Sequence, residues 1–494
     1  MPLSIFSVNL MSDHLILLAS VLVFVAILIT KVGVRFGAPA LLLFLLLGMA
    51  VGADGLGLQF EDYEIAEHIG HFAMCVILFA GGLETSIAET RPVFRQGLVL
   101  SAFGVLGTIL LTGGFIALAL RHLMNDFNPT LLGCFLMAAI ISSTDSTSVF
   151  SVLRGKRLRL RENLGPLLEL ESGSNDPLAL SIVVIMANIL AEGQLSTGGA
   201  FLYGVLLLLM QIAIGTLIGV GGGYLARWIL GKIHFTNASL FSIMVLSLGF
   251  FSYGLASALN GNGLLAVYIT AIMIGNKALT GAMKRDAGKF FDALTWLMQL
   301  VMFLMLGLLA RPSQMTHVLG PALLLGLFLM LVARPLSVFA CLSPFKSLSF
   351  KAKAYVSWVG LKGAGPILFA LCPVVAGLPG STGVFNIIFL ISLLSLILQG
   401  MTLSPLAKWL NLSYPEDPTV ETYGLEIPEE MGMIRDHVVS EDDLLNGSTL
   451  REMHLPHGIR VIMVKREGQF LVPHGSMSLQ TGDHLLIVMG DTDD

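Results

Sequence analysis

The chain has 494 residues, of which 55% are hydrophobic and only 12% charged, and its mean hydropathy is +0.83. Most of it must be solvated by hydrocarbon, which excludes a soluble globular protein. The net charge of -5 is too small to direct function, and no nucleic-acid partner is expected.

The first apolar run, 13–31, has neither a basic segment ahead of it nor a small-residue cleavage site behind it, so it is expected to remain as a spanning helix. Apolar runs bounded by charge or turn residues continue at 37–53, 65–84, 96–120, 130–152, 163–191, 198–229, 238–259, 263–280, 291–310, 316–337, 350–376 and 383–410. Each reaches the roughly 17–25 residues that cross a bilayer or exceeds them, so an all-α polytopic membrane protein of about thirteen spans is expected, with a transmembrane domain over 1–410. Basic residues alternate between loops: Lys31 and Arg35, Arg91 and Arg95, Arg154 to Arg161, Arg227 and Lys232, Lys277 to Lys289, and Lys346 to Lys353 fall on one side. The other side offers only Arg121 and Arg311. By the positive-inside bias the N-terminus is expected outside and the C-terminus in the cytoplasm.

Four cysteines, Cys75, Cys134, Cys341 and Cys372, are scattered through apolar runs without paired spacing, as expected of packed free thiols. His14, His68 and His71 read as interface packing, because no metal-ligand spacing appears around them. Gly219, Gly221, Gly222 and Gly223 follow no strand, so close helix packing rather than a phosphate loop is expected.

After Leu410 the composition turns polar, and 411–442 reads as a linker. From 443 to 494, β-rich stretches at 460–464, 469–472 and 484–488 alternate with turns. A small α/β cytoplasmic domain is expected there.

Polar residues inside the spans carry the chemistry. Span six contains Glu169, Glu171, Ser172, Ser174, Asn175 and Asp176. An ionised Asp at a helix centre costs roughly 2.5–3.5 kcal/mol, so such residues face a bundle interior or an aqueous path. Ser172 and Asp176 stand at i and i+4 on one face with Asn175 beside them; oxygen donors of this kind suit a hard monovalent cation, K+ or Na+. A carboxylate there can hold either a proton or a cation, and competition at one site gives exchange. Span five contains Ser142-Ser143-Thr144-Asp145-Ser146-Thr147-Ser148, and span twelve contains Gly360-Leu361-Lys362-Gly363-Ala364-Gly365-Pro366. Both read as broken helices lining a site between inverted repeats. Asp145 is a candidate cap for a half-helix. Lys362 is expected to pair with Glu171 rather than to snorkel. Arg334, before Pro335, reads equally as an interfacial anchor or as a functional group.

Glu171-Ser172-Gly173-Ser174-Asn175-Asp176-Pro177, preceded one span earlier by Thr144-Asp145, resembles the NhaP branch of the monovalent cation:proton antiporters. The likeness extends through 78–83, 263–269, 303–309 and 358–364, covering all thirteen spans. The resemblance implies a homodimer with no cofactor and no enzymatic reaction. Its scaffold would be spans 1–3 and 7–10, and its six-helix core spans 4–6 and 11–13, with spans five and twelve crossing. It makes Asp176 the proton and cation carboxylate and Asn175 its neighbour. Ser172 and Thr144 become cation ligands, and Glu171 the partner of a basic residue on span twelve. This chain has Lys362 where the family usually has arginine, and Ala80 where an acidic residue is frequent. The tail from Gly447 to Gly490 resembles the C-terminal subdomain of potassium-conductance regulators, which implies potassium transport and a regulatory ligand that the sequence does not name.

Two other classes are weaker. A potassium channel would need a filter such as Thr-Val-Gly-Tyr-Gly, which the sequence lacks. An intramembrane hydrolase using Asp145 and Asp176 would leave the broken helices and the basic partner unexplained. The expected function is secondary active, electroneutral exchange of K+ or Na+ for H+ in a bacterial inner membrane, serving cation and pH homeostasis.

Overall fold

The structure is a computed structural model that describes residues 13–33, 39–120, 129–155, 158–192, 197–233, 237–277, 281–415, 434–439, 442–444, 449–452, 459–466 and 469–489. Arg35, Arg121, Lys156, Arg157 and the middle of the expected linker, 416–433, lie outside the described residues, as do the side chains of His14, Ser146 and Thr147. Contacts divide the chain into a membrane unit, Met1–Tyr414, and a tail unit, Pro415–Asp494.

Helices in the membrane unit stand where the apolar runs require them. They are α1 (Asp13–Gly33), α2 (Ala40–Val51), α3 (Tyr63–Glu84), α4 (Ile87–Leu120), a broken α5 (Leu131–Ile140 and Ser146–Gly155) and α6 (Leu164–Glu192). Next come α7 (Thr197–Lys232), α8 (Ala238–Ala258), α9 (Gly263–Lys277), α10 (Gly281–Leu309), α11 (Pro312–Leu342), a broken α12 (Phe350–Trp358 and Ala364–Val375) and α13 (Ser381–Trp409). Among the described residues, eight of the helical segments are long and apolar enough to cross a membrane, and shorter apolar helices fill the remaining expected positions.

Polar residues at the starts of these helices accept otherwise orphaned backbone N–H groups. Asp62 accepts from Ile65, Thr130 from Gly133, Asn237 from Ser239, Asn262 from Leu265 and Ser349 from Ala352.

Two groups of helices pack among themselves. In one, α10 lies on α2 and α3, and α9 on α3, α7 and α8. Small residues permit that closeness: a Cβ added to Gly48 of α2 would stand 2.3 Å from the Leu304 carbonyl oxygen. Within the 219–223 stretch of α7, Gly219, Gly222 and Gly223 press on Ala266, Ser252 and Met273, while Gly221 faces open space. In the other group, α4 packs on α5, α6 and α11, and α11 packs on α13. The Phe115 and Phe328 rings stack there at 3.8 Å.

The second group carries an internal echo. Helices α4 and α11 each open with a short α segment and a 3₁₀ turn, Arg91–Val93 and Thr316–Val318. Each later passes through π-helical turns, Leu100–Gly104 and Ile116–Leu120 in α4 and Leu329–Ala333 in α11. In both triads the first helix is followed by a broken one and then by a long one, the pattern of an inverted repeat.

The tail unit holds β1 (Ile434–Val438), β2 (Ile459–Arg466), β3 (Gln469–Leu471) and β4 (His484–Met489), in the order β1-β4-β2-β3, antiparallel throughout. Val439, Val464, Leu479, Leu485 and Ile487 form its core. Strand β1 falls inside the expected linker, so the domain begins earlier than its apolar pattern suggested. Its centre, Arg435-Asp436-His437, has the charged character of an edge strand, which hides it from a hydrophobic reading.

Asp483 is the buried polar anchor of the tail. Arg466 donates to it through Nε at 2.8 Å and Nη2 at 2.6 Å, and the Gln480 N–H donates at 2.9 Å. These donors, the guanidinium first, hold its carboxyl below 3.8. Its stabilisation is therefore present above pH 3.8 and is lost as pH falls through the depressed native value. Asp483→Asn should cost the tail about 1.5–3 kcal/mol at neutral pH, read as faster hydrogen exchange of β4 amides, and should flatten their acid sensitivity. Unchanged protection would contradict that role.

Candidate functional site

The two broken helices meet at their breaks. The Asp145 N–H donates to the Leu361 carbonyl at 2.9 Å, so unwound backbone of α5 bonds directly to unwound backbone of α12. Each remaining end finds its own partner. Lys362 Nζ donates to the carbonyls of Ser142 at 3.1 Å and Ser143 at 2.7 Å, placing a cation at the negative end of the first half of α5. Asp145 caps the second half as its sequence position suggested: Oδ1 accepts from the Ser148 N–H at 3.0 Å, and Oδ2 from the Ser148 hydroxyl.

Helix α13 closes the α12 break. The Ser395 hydroxyl accepts from the Lys362 N–H at 2.8 Å and donates to Gln399, whose Nε2 donates to the Trp358 carbonyl at 2.8 Å. Gly363 is required by closeness: a Cβ there would lie within 2.7 Å of the Asp145 carboxyl carbon.

Helix α6 runs beside this crossing and is tied to it through Thr144. The Ser172 hydroxyl donates to the Thr144 carbonyl at 2.5 Å, and Asn175 Nδ2 donates to Thr144 Oγ1 at 2.6 Å. Asp145, Lys362, Ser143 and Glu171 are the polar groups around Asp176. Asp176 Oδ1, Asn175 Oδ1 and Ser143 Oγ are buried and have no hydrogen-bond partner among the described residues. The Ser143 hydroxyl still interacts with the Asp176 carboxylate, whereas Asp176 Oδ1 and Asn175 Oδ1 lose solvation with no well-aligned bond unless they accept a proton or a cation. Asp176, Asn175, Ser172, Thr144 and Asp145 are thus gathered at one place, with Ser172 and Thr144 engaged to each other.

The expected Glu171–Lys362 ion pair is not the one that forms. Glu171 Oε1 pairs with Arg334 Nη2 at 2.5 Å, both side chains being almost wholly buried. Arg334 is therefore no interfacial anchor. It reaches Glu171 from α11, lying over Gly360, where a Cβ would come within 2.8 Å of its Nε. Lysine lacks the planar fork that suits a carboxylate, and its compact ammonium serves the free carbonyls of the α5 break instead.

Sequence reasoning missed Ser395 and Gln399, though their i, i+4 spacing in an apolar span was a usable signal. It also missed Asn262, whose Nδ2 donates to the Pro177 carbonyl and to Ser181 Oγ, each at 2.7 Å, and so braces α6 just past Asp176.

The family model described as the transmembrane part of sodium/hydrogen exchangers matches residues 19–409, and a TrkA-C domain model matches residues 434–493. The chain is 36% identical over 477 residues to the K(+)/H(+) antiporter NhaP2 of Shewanella oneidensis, spanning 96% of this chain and 80% of that one. It is 34% identical over 487 residues to the K(+)/H(+) antiporter NhaP of Alkalimonas amylolytica, spanning 97% and 82%. The fold is similar to that of the sodium proton antiporter MjNhaP1 from Methanocaldococcus jannaschii, with a TM-score of 0.67 at 23% identity, covering 79% of this chain and 97% of that one.

Arg334→Gln should destabilise the protein by about 3–5 kcal/mol, because it strands a buried carboxylate. Adding Glu171→Gln should restore part of the loss, a non-additivity expected of direct partners. Thermal unfolding of the purified variants reads both, and strict additivity would mean that the two side chains do not stabilise each other.

Proposed function

The chain belongs to the family of transmembrane sodium/hydrogen exchangers, and from that membership we propose that Asp176 is the carboxylate at which a monovalent cation and a proton compete. The observation that carries this reading is the pair of buried, unbonded oxygens Asp176 Oδ1 and Asn175 Oδ1, with the Ser143 hydroxyl against the carboxylate, beside the crossing of α5 and α12. A bare oxygen set suits a hard cation, and the same carboxylate accepts a proton when the cation leaves. Potassium is the favoured cargo and sodium the alternative, supported by the two K(+)/H(+) antiporter relatives and by the TrkA-C match.

Transport then proceeds by alternating access. Helices α4–α6 and α11–α13 form a core that carries the loaded site, and α1–α3 with α7–α10 form a scaffold, a division supported by the two packing groups. A homodimer through the scaffold is compatible with α7, most of whose apolar surface is left uncovered within the chain and open to lipid or a second copy. The N-terminus lies outside, in keeping with the loop charges, and the setting is a bacterial inner membrane. The tail regulates the exchanger from the cytoplasm in response to a ligand or ion.

Asp176→Asn should abolish cation-driven proton flux in proteoliposomes while leaving a folded protein, since an amide neither releases a proton nor balances a cation. Wild-type exchange should be electroneutral, so its rate should not respond to a clamped membrane potential; comparing K+ with Na+ in the same assay decides the cargo. Exchange persisting in Asp176→Asn would refute the assignment, and a clear voltage response would require a second titrating group.

Truncation after Pro415 should preserve turnover and shift only apparent cation affinity or pH activation, because every proposed ligand lies in the membrane unit. The cut keeps Leu412, whose carbonyl accepts the Arg161 N–H at 2.8 Å. Exchange measured from pH 6 to 9 tests this; a folded but inactive truncation would place the tail in the transport machinery.

A further inference from the structure

Cysteine and histidine spacing along the chain gives no hint of a metal site, yet the fold brings one together. Glu67 and His71 stand at i and i+4 on α3, and Cys372 comes from the second half of α12. One ligand atom from each lies within 4.8 Å of the others. None of the three belongs to the Asp176 site.

We propose that Glu67, His71 and Cys372 bind a zinc-class divalent cation and that the bound ion arrests exchange by tying α3 to α12. The ligand set is a carboxylate oxygen, an imidazole nitrogen and a thiolate sulfur, a combination that selects zinc over the hard cations. Tetrahedral zinc holds its ligand atoms about 3.3–3.8 Å apart, so small side-chain rotations close the site and a water completes the fourth position. The Cys372 thiol proton passes to water as the sulfur takes the metal.

Access and attraction are provided at the same place. Glu67 and His71 are partly exposed, and Cys372 is 8% exposed. One turn before Glu67 lies an open surface depression of about 460 Å³ lined by Glu61, Asp62, Tyr63, Glu64, Val374 and Val375. Its three acidic residues raise the local concentration of cations, with Glu61 partly offset by its ion pair to Arg311.

The position gives the ion its effect. Helices α3 and α12 pack closely here, a Cβ on Gly70 meeting Leu368 at 2.2 Å. On the reading above, α3 belongs to the scaffold and α12 to the core, so this seam must shift in each transport cycle. A coordination bond across it stabilises one arrangement over the other, which is all a ligand needs to stop a two-state carrier. The inference rests on that reading for the arrest, though not for the binding.

The full-length protein in proteoliposomes tests both parts. Co2+ as a zinc surrogate should give a thiolate-to-metal absorption band in the wild type that Cys372→Ser abolishes. Micromolar Zn2+ should slow exchange at least about tenfold, and both Cys372→Ser and His71→Ala should raise the inhibitory concentration by about 10–100-fold while keeping metal-free exchange. Absence of the cobalt band in the wild type overturns the site. A band without inhibition, or inhibition unchanged in both variants, overturns the arrest. Wild-type protein inactive before any metal is added would count against cation exchange itself, and the cobalt band would still decide the site.

Discussion

Backbone polar groups inside a bilayer have no water to turn to, and each one left unbonded costs several kcal/mol. A chain that breaks two of its spanning helices must therefore supply a partner for every freed N–H and C=O. Here the breaks supply one another: the Asp145 N–H bonds to the Leu361 carbonyl, and Lys362 of one break bonds to the Ser142 and Ser143 carbonyls of the other. Further groups are met by α13, through Ser395 and Gln399, and by α6, through Ser172, whose hydroxyl donates to the Thr144 carbonyl. Neither break could exist at this depth without the other, and the site is a consequence of that mutual dependence.

Once the crossing is fixed, charge follows it. Asp145 sits at the start of one half-helix and Lys362 at the end of another, each where the backbone dipole favours its sign. The Glu171–Arg334 pair adds a second buried link, from α6 to α11. Asp176 lies among these committed groups and retains a buried oxygen without a bond.

The same economy explains where the protein is tightly and loosely built. Glycines bring α2 to α10 and α7 to α9 at backbone distance, giving rigid contacts inside one helical group. At the seam between the groups, α3 against α12 and α6 against α7 and α9, glycines meet side chains rather than backbone, Gly70 against Leu368 and Gly173 against Tyr268. It is along that seam that Glu67, His71 and Cys372 meet, so three polar side chains lie between the two groups.

Much of this was legible in the sequence, because the bilayer acts on each residue locally. Twenty apolar residues must be a span, a run such as Ser142 to Ser148 cannot be a regular apolar helix, and Ser172 with Asp176 must share a face. Those constraints determined the number of spans, the two breaks, the family resemblance and the gathering of Thr144, Ser172, Asn175 and Asp176. Tertiary structure decided which distant groups touch. Glu171 takes Arg334 rather than Lys362, Gln399 serves Trp358, Cys372 joins His71, and β1 enters a sheet despite its charges. Such choices depend on how each helix is rotated about its axis and where it crosses its neighbours, and on the reach of individual side chains across that gap. Those quantities arise from packing the whole bundle at once, so no window of the sequence contains them.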